Sequence, residues 1–238
     1  MDIAGKKAVV FGGTSGIGLA AVKQLVAKGA EVTAISRDPD KASASGDLPA
    51  GITLKACDTT DESAVEKLLE ECAPYDILVS SATGGQRAVG PFLEMELEGY
   101  KNSFAKLWGY AAVVRHGARH LPDNGAIVLV SGAPARRCKP GQVAISSVGG
   151  AVEALVRATA PEIAPKRINV MSPGQIDTPM VGLKGDERTE FYRKMTDGHI
   201  IPRAGTADEC ASGIVFLIEN DFVTGTTIDV DGGWLLTS

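Results

Sequence analysis

The sequence predicts an α/β fold in which one parallel sheet carries helices on both faces, in a single domain spanning 1–238. Three observations carry that prediction. Short strand-like runs alternate with helical segments along the whole chain, and several strands are apolar on both faces, as a sheet held between two helical layers requires. No linker, internal repeat or low-complexity tract interrupts the series. At 238 residues the chain is long for one domain, but α/β layers of this size fold as one unit around a sizeable core.

The elements follow in order. KAVVFG (7–12) reads as a strand, and GIGLAAVKQLVAKGA (16–30) as a helix with Leu19, Val22, Leu25 and Val26 on one face. The strand EVTAIS (31–36) leads into a loop rich in Asp, Ser and Pro, then the strand ITLKA (52–56), the helix SAVEKLLEEC (63–72) and the apolar strand DILVSS (76–81). A long helical stretch is expected over 94–121, followed by the strand AIVLVS (126–131) and a helix over 145–164. Pro161 lies inside that helix, where it removes a donor and crowds the preceding turn, so a kink is expected. The strand RINVMS (167–172), an irregular stretch over 174–205, the helix ADECASGIVFLIE (207–219) and the strand TTIDV (226–230) complete the chain.

Hydrophobic residues at 44% and charged residues at 22% are ordinary for a globular protein. A net charge of −5 gives no general attraction to nucleic acid or to an anionic membrane. No apolar run approaches the roughly 18 residues that span a bilayer, and Met1-Asp2-Ile3 begins no signal peptide. Cys57, Cys72, Cys138 and Cys210 are scattered, without a C-x-x-C pair or a histidine at metal spacing, so reduced thiols and a cytoplasmic location are expected. Cys138, between Arg137 and Lys139, reads either as a reactive thiol or as an ordinary surface one.

The glycine-rich GGTSGIG (12–18) lies between the first strand and the first helix, the context in which such a motif holds a dinucleotide. Gly12, Gly16 and Gly18 keep the turn tight, and backbone N–H groups at the helix N-terminus favour a pyrophosphate. The second strand ends in Ser36-Arg37. An arginine there pairs with a 2′-phosphate where a carboxylate would repel it, so NADP(H) is favoured over NAD(H), with Asp38 tempering the preference.

Taken together, the chain resembles the short-chain dehydrogenase/reductase superfamily from end to end. The likeness rests on GGTSGIG (12–18), CDTTD (57–61), DILVSSA (76–82), RINVMSPGQIDTP (167–179) and VTGTTIDVDGGW (223–234), in that order and spacing. The resemblance implies a Rossmann-type doubly wound sheet of seven parallel strands, a homodimer or homotetramer, and a small-molecule substrate. It places Gly12, Thr14, Ser15, Gly16, Ile17 and Gly18 at the pyrophosphate, and Ser36 and Arg37 at the adenosine ribose. Asp58 and Thr59 fall at the adenine, Ser81 and Ala82 along the ribose, and Pro173, Gly174, Ile176 and Thr178 at the nicotinamide. The stretch 175–205 would be a mobile substrate lid.

Members of that family reduce carbonyls with an asparagine, a serine, and a tyrosine four residues before a lysine. Aligning GQVAISSVGG (141–150) with the corresponding segment puts Ile145 at the tyrosine and Gly149 at the lysine. The serine position becomes Gly132, beside Ser131, and the asparagine position in FAKLWG (104–109) becomes Lys106. Nowhere in the chain does a tyrosine precede a lysine by four residues. Losing general acid catalysis forfeits a factor of about 10² to 10⁴.

Three readings remain open. Another group supplies the proton, Lys106 first, with Tyr110 one turn along and Ser131 as an orienting hydroxyl. Or the acceptor needs no acid, as with an imine, an enone or another activated small molecule, and Arg136 and Arg137 hold an anionic substrate or are solvated loop charges. Or the chain is a catalytically inactive NADP-binding sensor or partner subunit. Ser146 and Ser147 read as helix N-caps. His116 and His120 share a helical face without a third ligand, so no metal site is expected, and His199 in the lid is a candidate mobile acid.

Overall fold

The computed structural model describes residues 1–44 and 46–237. The strands are β1 (Lys7–Phe11), β2 (Glu31–Ser36), β3 (Thr53–Ala56), β4 (Ile77–Ser80), β5 (Ala126–Val130), β6 (Arg167–Pro173), β7 (Ile176–Asp177), β8 (Gly205–Thr206) and β9 (Thr227–Val230). The α-helices are α1 (Gly16–Ala27), α2 (Pro39–Ala44), α3 (Glu62–Cys72), α4 (Leu97–Ser103), α5 (Ala105–Gly117), α6 (Val143–Ile163), α7 (Gly185–Thr196) and α8 (Ala207–Glu219). Seven strands form one parallel sheet in the order β3-β2-β1-β4-β5-β6-β9, the doubly wound arrangement expected. The chain departs in opposite directions from β1, toward β2 on one side and β4 on the other, so the strand order reverses there. A crevice at the C-terminal ends of the strands is the ligand-binding place of such sheets.

Two apolar layers cover the sheet. On one face α1 and α8 bring Val22, Leu25, Ile214 and Leu217 against Val10, Val79 and Val128. On the other, α3, α5 and α6 bring Leu69, Val113, Val152 and Val156 against Phe11, Leu78 and Leu129. Side chains alternate across a strand, so neighbouring residues such as Val10 and Phe11 feed opposite layers. Each fully buried aliphatic side chain contributes about 1.5–3 kcal/mol relative to exposure.

Local signals set the helix ends. Asp61 accepts from the Ala64 N–H at the start of α3, and Thr206 and Glu209 form a reciprocal capping box on α8. Beyond α1, Gly29 adopts φ +87°, and the Gly29 and Ala30 N–H groups return to the carbonyls of Val26 and Leu25. That closes the helix with a left-handed glycine, a conformation unfavourable for a side chain with a Cβ.

Five sequence expectations are corrected. The stretch 94–121 is not one helix but α4 and α5, separated at Phe104 and flanked by 3-10 turns at Phe92–Glu94 and Ala118–His120. Buried Ser103 is the reason: its hydroxyl donates to the Gly99 carbonyl and accepts the Ala88 N–H, each at 2.9 Å, tying the end of α4 to a neighbouring loop. The loop after β2 contains α2, opened by Pro39 and by Asp38, which accepts the Lys41 N–H at 3.0 Å. The stretch 174–205 is not irregular: β7 pairs with β8, and α7 lies between them. Helix α6 begins at Val143 with Gln142 as its cap, so Ser146 and Ser147 lie inside the helix. It also runs 21 residues through Pro161, with a mean hydropathy of 1.3. Among the described residues one helix is therefore long and apolar enough to cross a membrane, and its Val152, Val156 and Ala160 pack in the core.

Candidate active site

A cleft of about 1350 Å³ runs along the C-terminal ends of the strands, across the point where their order reverses. Every residue expected at the nucleotide lines it, as do Lys106, Ser131, Ile145 and Gly149.

The turn from β1 to α1 forms one wall. A Cβ on Gly18 would overlap the carbonyl oxygen of Gly12, and one on Gly12, at φ +75°, would come within 2.8 Å of the Ala82 nitrogen. The turn can thus pack against the segment after β4 only with glycine at both places. Ser81 donates to the Phe11 carbonyl at 3.4 Å and closes the junction from the β4 side. Ser15 makes no side-chain cap bond to α1, so the first N–H groups of that helix are open to an anion.

At the β2 end, Arg37 and Lys41 line the cleft together. Asp38 lies beside them, but one of its oxygens is already taken by the Lys41 N–H. The Ser36 hydroxyl is buried without a hydrogen-bond partner. Asp58 accepts from the N–H and the hydroxyl of Thr60 at 2.9 and 2.8 Å, which holds its carboxyl below the usual range. Thr59 is buried beneath it, and Cys57 is a buried thiol pushed up to about 11 by loss of water. On the β6 side a Cβ on Gly174 would come within 2.6 Å of the Asp231 Cα. Thr178 closes over the loop, a Cβ on Gly16 standing 3.6 Å from its side chain.

The far end is built by α5, β5 and α6. Lys106 extends from the first turn of α5, and its Nζ donates to the Ser131 carbonyl at 3.1 Å while lying 5.4 Å from the Tyr110 ring centre. Burial of the ammonium, with Arg87 repelling it, lowers its pKa to about 7. Tyr110 is closed away: its hydroxyl donates to the Val130 carbonyl at 3.1 Å, and burial raises its pKa far above the usual phenol value. The Ser131 hydroxyl donates to Glu153 at 3.3 Å, so this residue holds Lys106 by its carbonyl and does not present a hydroxyl as an orienting group. Opposite, Ile145 and Gly149 give α6 an apolar face, and a Cβ on Gly149 would stand 2.9 Å from that of Ala135.

Other sequence candidates fall outside the cleft. Arg136 pairs with Asp229, at 2.9 Å through Nη1, and with Glu153 at 3.4 Å. Arg137 donates to the Trp234 carbonyl and the Thr237 hydroxyl. Both are tethers, neither free substrate cations nor solvated loop charges. His116 sits between Glu62 and Glu66, at 2.9 and 3.0 Å, and among the described residues no group of three or more His, Cys, Asp or Glu is arranged for a metal. His199 stacks on Trp234 with ring centres 5.8 Å apart, and burial lowers its pKa, so it is a packed ring and not a poised acid. Cys138 is exposed, and Cys72 and Cys210 are unpaired thiols. The expected lid is tied together internally: Arg188 of α7 donates to Asp177 of β7 and to the carbonyls of Thr178, Val181 and Leu183. The Tyr192 hydroxyl donates to the Ile176 carbonyl at 3.1 Å.

Two cleft cations, Lys41 and Arg87, were not singled out from sequence. Each is an isolated basic residue without a motif, and only the fold brings them to the crevice.

The profile described as Enoyl-(Acyl carrier protein) reductase matches residues 12–235. The chain is a member of the short-chain dehydrogenase/reductase superfamily. Its relatives in that superfamily include L-xylulose reductase of Bos taurus, 33% identical over 246 residues, with 100% of this chain and 99% of that protein covered. A small-chain dehydrogenase solved in complex with NADPH is 32% identical, with a TM-score of 0.86 over 98% of this chain and 99% of the other. A blue fluorescent protein from a metagenomic library, also solved with NADPH, is 27% identical, with a TM-score of 0.86 over 98% of this chain and 99% of the other. This short-chain dehydrogenase/reductase chain is thus an oxidoreductase by kinship.

Proposed function

We propose that the chain is an NADP(H)-dependent oxidoreductase in which Lys106, and not a tyrosine, supplies the proton. The observation that carries this reading is the Lys106 ammonium itself. It is anchored on the Ser131 carbonyl at the cleft wall, and it loses its proton near neutrality, as a general acid at physiological pH must.

The residues fit the nucleotide. The glycine turn packs backbone on backbone where a Cβ would collide, α1 presents open N–H groups, and the orphaned Ser36 hydroxyl awaits a partner beside Arg37 and Lys41. Arg37 and Lys41 would hold the 2′-phosphate, which is the basis for preferring NADP(H) over NAD(H). Asp58 and Thr59 would border the adenine, Ser81 and Ala82 the ribose, and Pro173, Gly174, Ile176 and Thr178 the nicotinamide. When bound, the nucleotide supplies the hydride.

The chain's own residues do the rest. Lys106 delivers its proton to the substrate atom that has gained electron density, becomes a neutral amine and recovers a proton from solvent. Ser131 fixes its direction through the carbonyl. Ile145 and Gly149, at the positions where the family carries tyrosine and lysine, make the opposite face apolar. A substrate that asks little of an acid, such as an imine or an enone, suits this arrangement.

The test is NADPH oxidation over a panel of ketones, imines and enones, with Lys106→Met beside the unaltered chain. Turnover that falls with this substitution while NADPH still binds is the expected result. Tight NADPH binding without oxidation of any acceptor favours the second reading, a catalytically inactive NADP-binding sensor or partner subunit. The sealed Tyr110 hydroxyl and the apolar α6 face are the observations on its side.

A further inference from the structure

We infer that Arg87 is the seat for an anionic group of the ligand, a carboxylate or phosphoryl oxyanion, bound at the far end of the cleft beside Lys106. This inference rests on the reading of the cleft as a nucleotide-dependent active site and names the class of molecule it accepts.

Arg87 and Lys106 both line the cleft, and the Lys106 ammonium feels the charge of Arg87. Among the described residues no carboxylate pairs with either. The guanidinium meets only the Met180 sulfur across the cleft, and a thioether neutralises nothing. Arg87 is exposed overall, and partial loss of water against the cleft lowers its pKa without an acidic neighbour to offset it. Arg136, Arg167, Arg188, Arg193 and Arg203 each have a carboxylate partner and so, unlike Arg87, are already neutralised. A guanidinium without a counter-charge at the cleft wall, near an ammonium pushed toward its neutral form, favours a ligand that brings negative charge.

The position is also built. The loop bearing Arg87 is clasped to α4 by the Ala88 N–H on the Ser103 hydroxyl at 2.9 Å. It presses on the start of α5, where a Cβ on Gly84, at φ +68°, would come within 2.7 Å of the Lys106 nitrogen. The backbone that carries Arg87 is thereby fixed, while its exposed side chain is free to turn a forked donor set toward an oxyanion in the cleft. The arginines at 136 and 137, by contrast, are already occupied.

Binding has a second effect. The charged or titratable groups around Lys106 are Arg87 from the loop and Tyr110 from its own helix, with Glu153 behind the Ser131 hydroxyl. Tyr110 stays neutral and Glu153 is paired with Arg136. An anion on Arg87 therefore removes the one repelling charge and draws a proton onto Lys106, loading the acid as the substrate arrives.

The experiment is calorimetric titration of the NADP⁺-saturated protein with 2-oxobutyrate, its ethyl ester and dihydroxyacetone phosphate, repeated in two buffers of different ionisation enthalpy near pH 7.5. We expect one or both anions to bind at least about tenfold more tightly than the ester, with net proton uptake. Arg87→Ala should remove that preference and Arg87→Lys restore part of it, NADP⁺ affinity staying within about twofold. The carboxylate and phosphate arms tell which oxyanion is taken. The inference is overturned if acid and ester bind alike, if neither anion binds below about 10 mM, if Arg87→Ala leaves anion affinity unchanged, or if it instead abolishes NADP⁺ binding. No turnover is required. Failure of NADP⁺ to bind in the preceding titration would sink the nucleotide reading, and absence of NADPH oxidation the proton-donor reading. Either is visible separately from the anion result.

Discussion

The two ends of the cleft solve different problems with the same material. At the β1–α1 turn, glycines hold backbone against backbone, and the polar groups are N–H donors, the unpartnered Ser36 hydroxyl and the basic pair Arg37 and Lys41. At the α5–β5–α6 end, glycine instead removes a side chain from the pocket wall, and chemistry is concentrated in Lys106 and Arg87. In the first case glycine lets the turn close on its own backbone and on the segment after β4; in the second it lets Ala135 and α6 close on each other. Residue type alone does not tell the two uses apart, but the atoms a Cβ would meet do.

The contrast can be broken most severely at the turn. Gly18→Ala puts a methyl onto the Gly12 carbonyl; NADPH affinity should fall by about 10²-fold or the turn should unfold, read by fluorescence titration and circular dichroism. Next comes Lys106→Met, which should lower turnover by about 10²-fold and leave NADPH binding nearly intact. It should also stabilise the fold. The folded-state pKa of Lys106 is depressed to about 7 from 10.5, so its cost is fully present below pH 7 and fades as pH rises toward 10.5. Denaturant unfolding of the variant should show a larger gain at pH 6 than at pH 10.

Gly149→Lys should cost about 1–3 kcal/mol through overpacking against Ala135, measured as a fall in urea midpoint, and Ala135→Gly should recover part of it. The smallest effect is expected at Arg37→Ala. NADP⁺ binding should weaken by about tenfold, on the order of one charge-assisted hydrogen bond, while NAD⁺ binding stays unchanged in the same titration.

Much of the sheet was legible because buried parallel strands read as continuous apolar runs, and α8 was legible to the residue because its capping box and apolar stripe agree. Helix α7 was not, since it buries only Tyr192 and Thr196 and so shows little periodicity. The break at Phe104 depends on Ser103 reaching Ala88, a contact between segments that sequence spacing does not disclose. The glycine turn could be placed from its position between strand and helix, and the other residues lining that end of the cleft could be named in advance because the family resemblance carries them onto motifs that the fold brings together. Arg136 was misjudged because its partner Asp229 lies 93 positions away, and Arg87 was overlooked because a lone loop arginine announces nothing until the fold surrounds it.

The closeness of Gly149 to Ala135 also governs which neighbours this sequence can visit. A lysine introduced at 149 meets resistance before it can gain a function, and the accommodating change at 135 gains nothing while glycine remains. The order of the two steps therefore matters: the smaller residue at 135 has to come first for a lysine at 149 to enter without crowding.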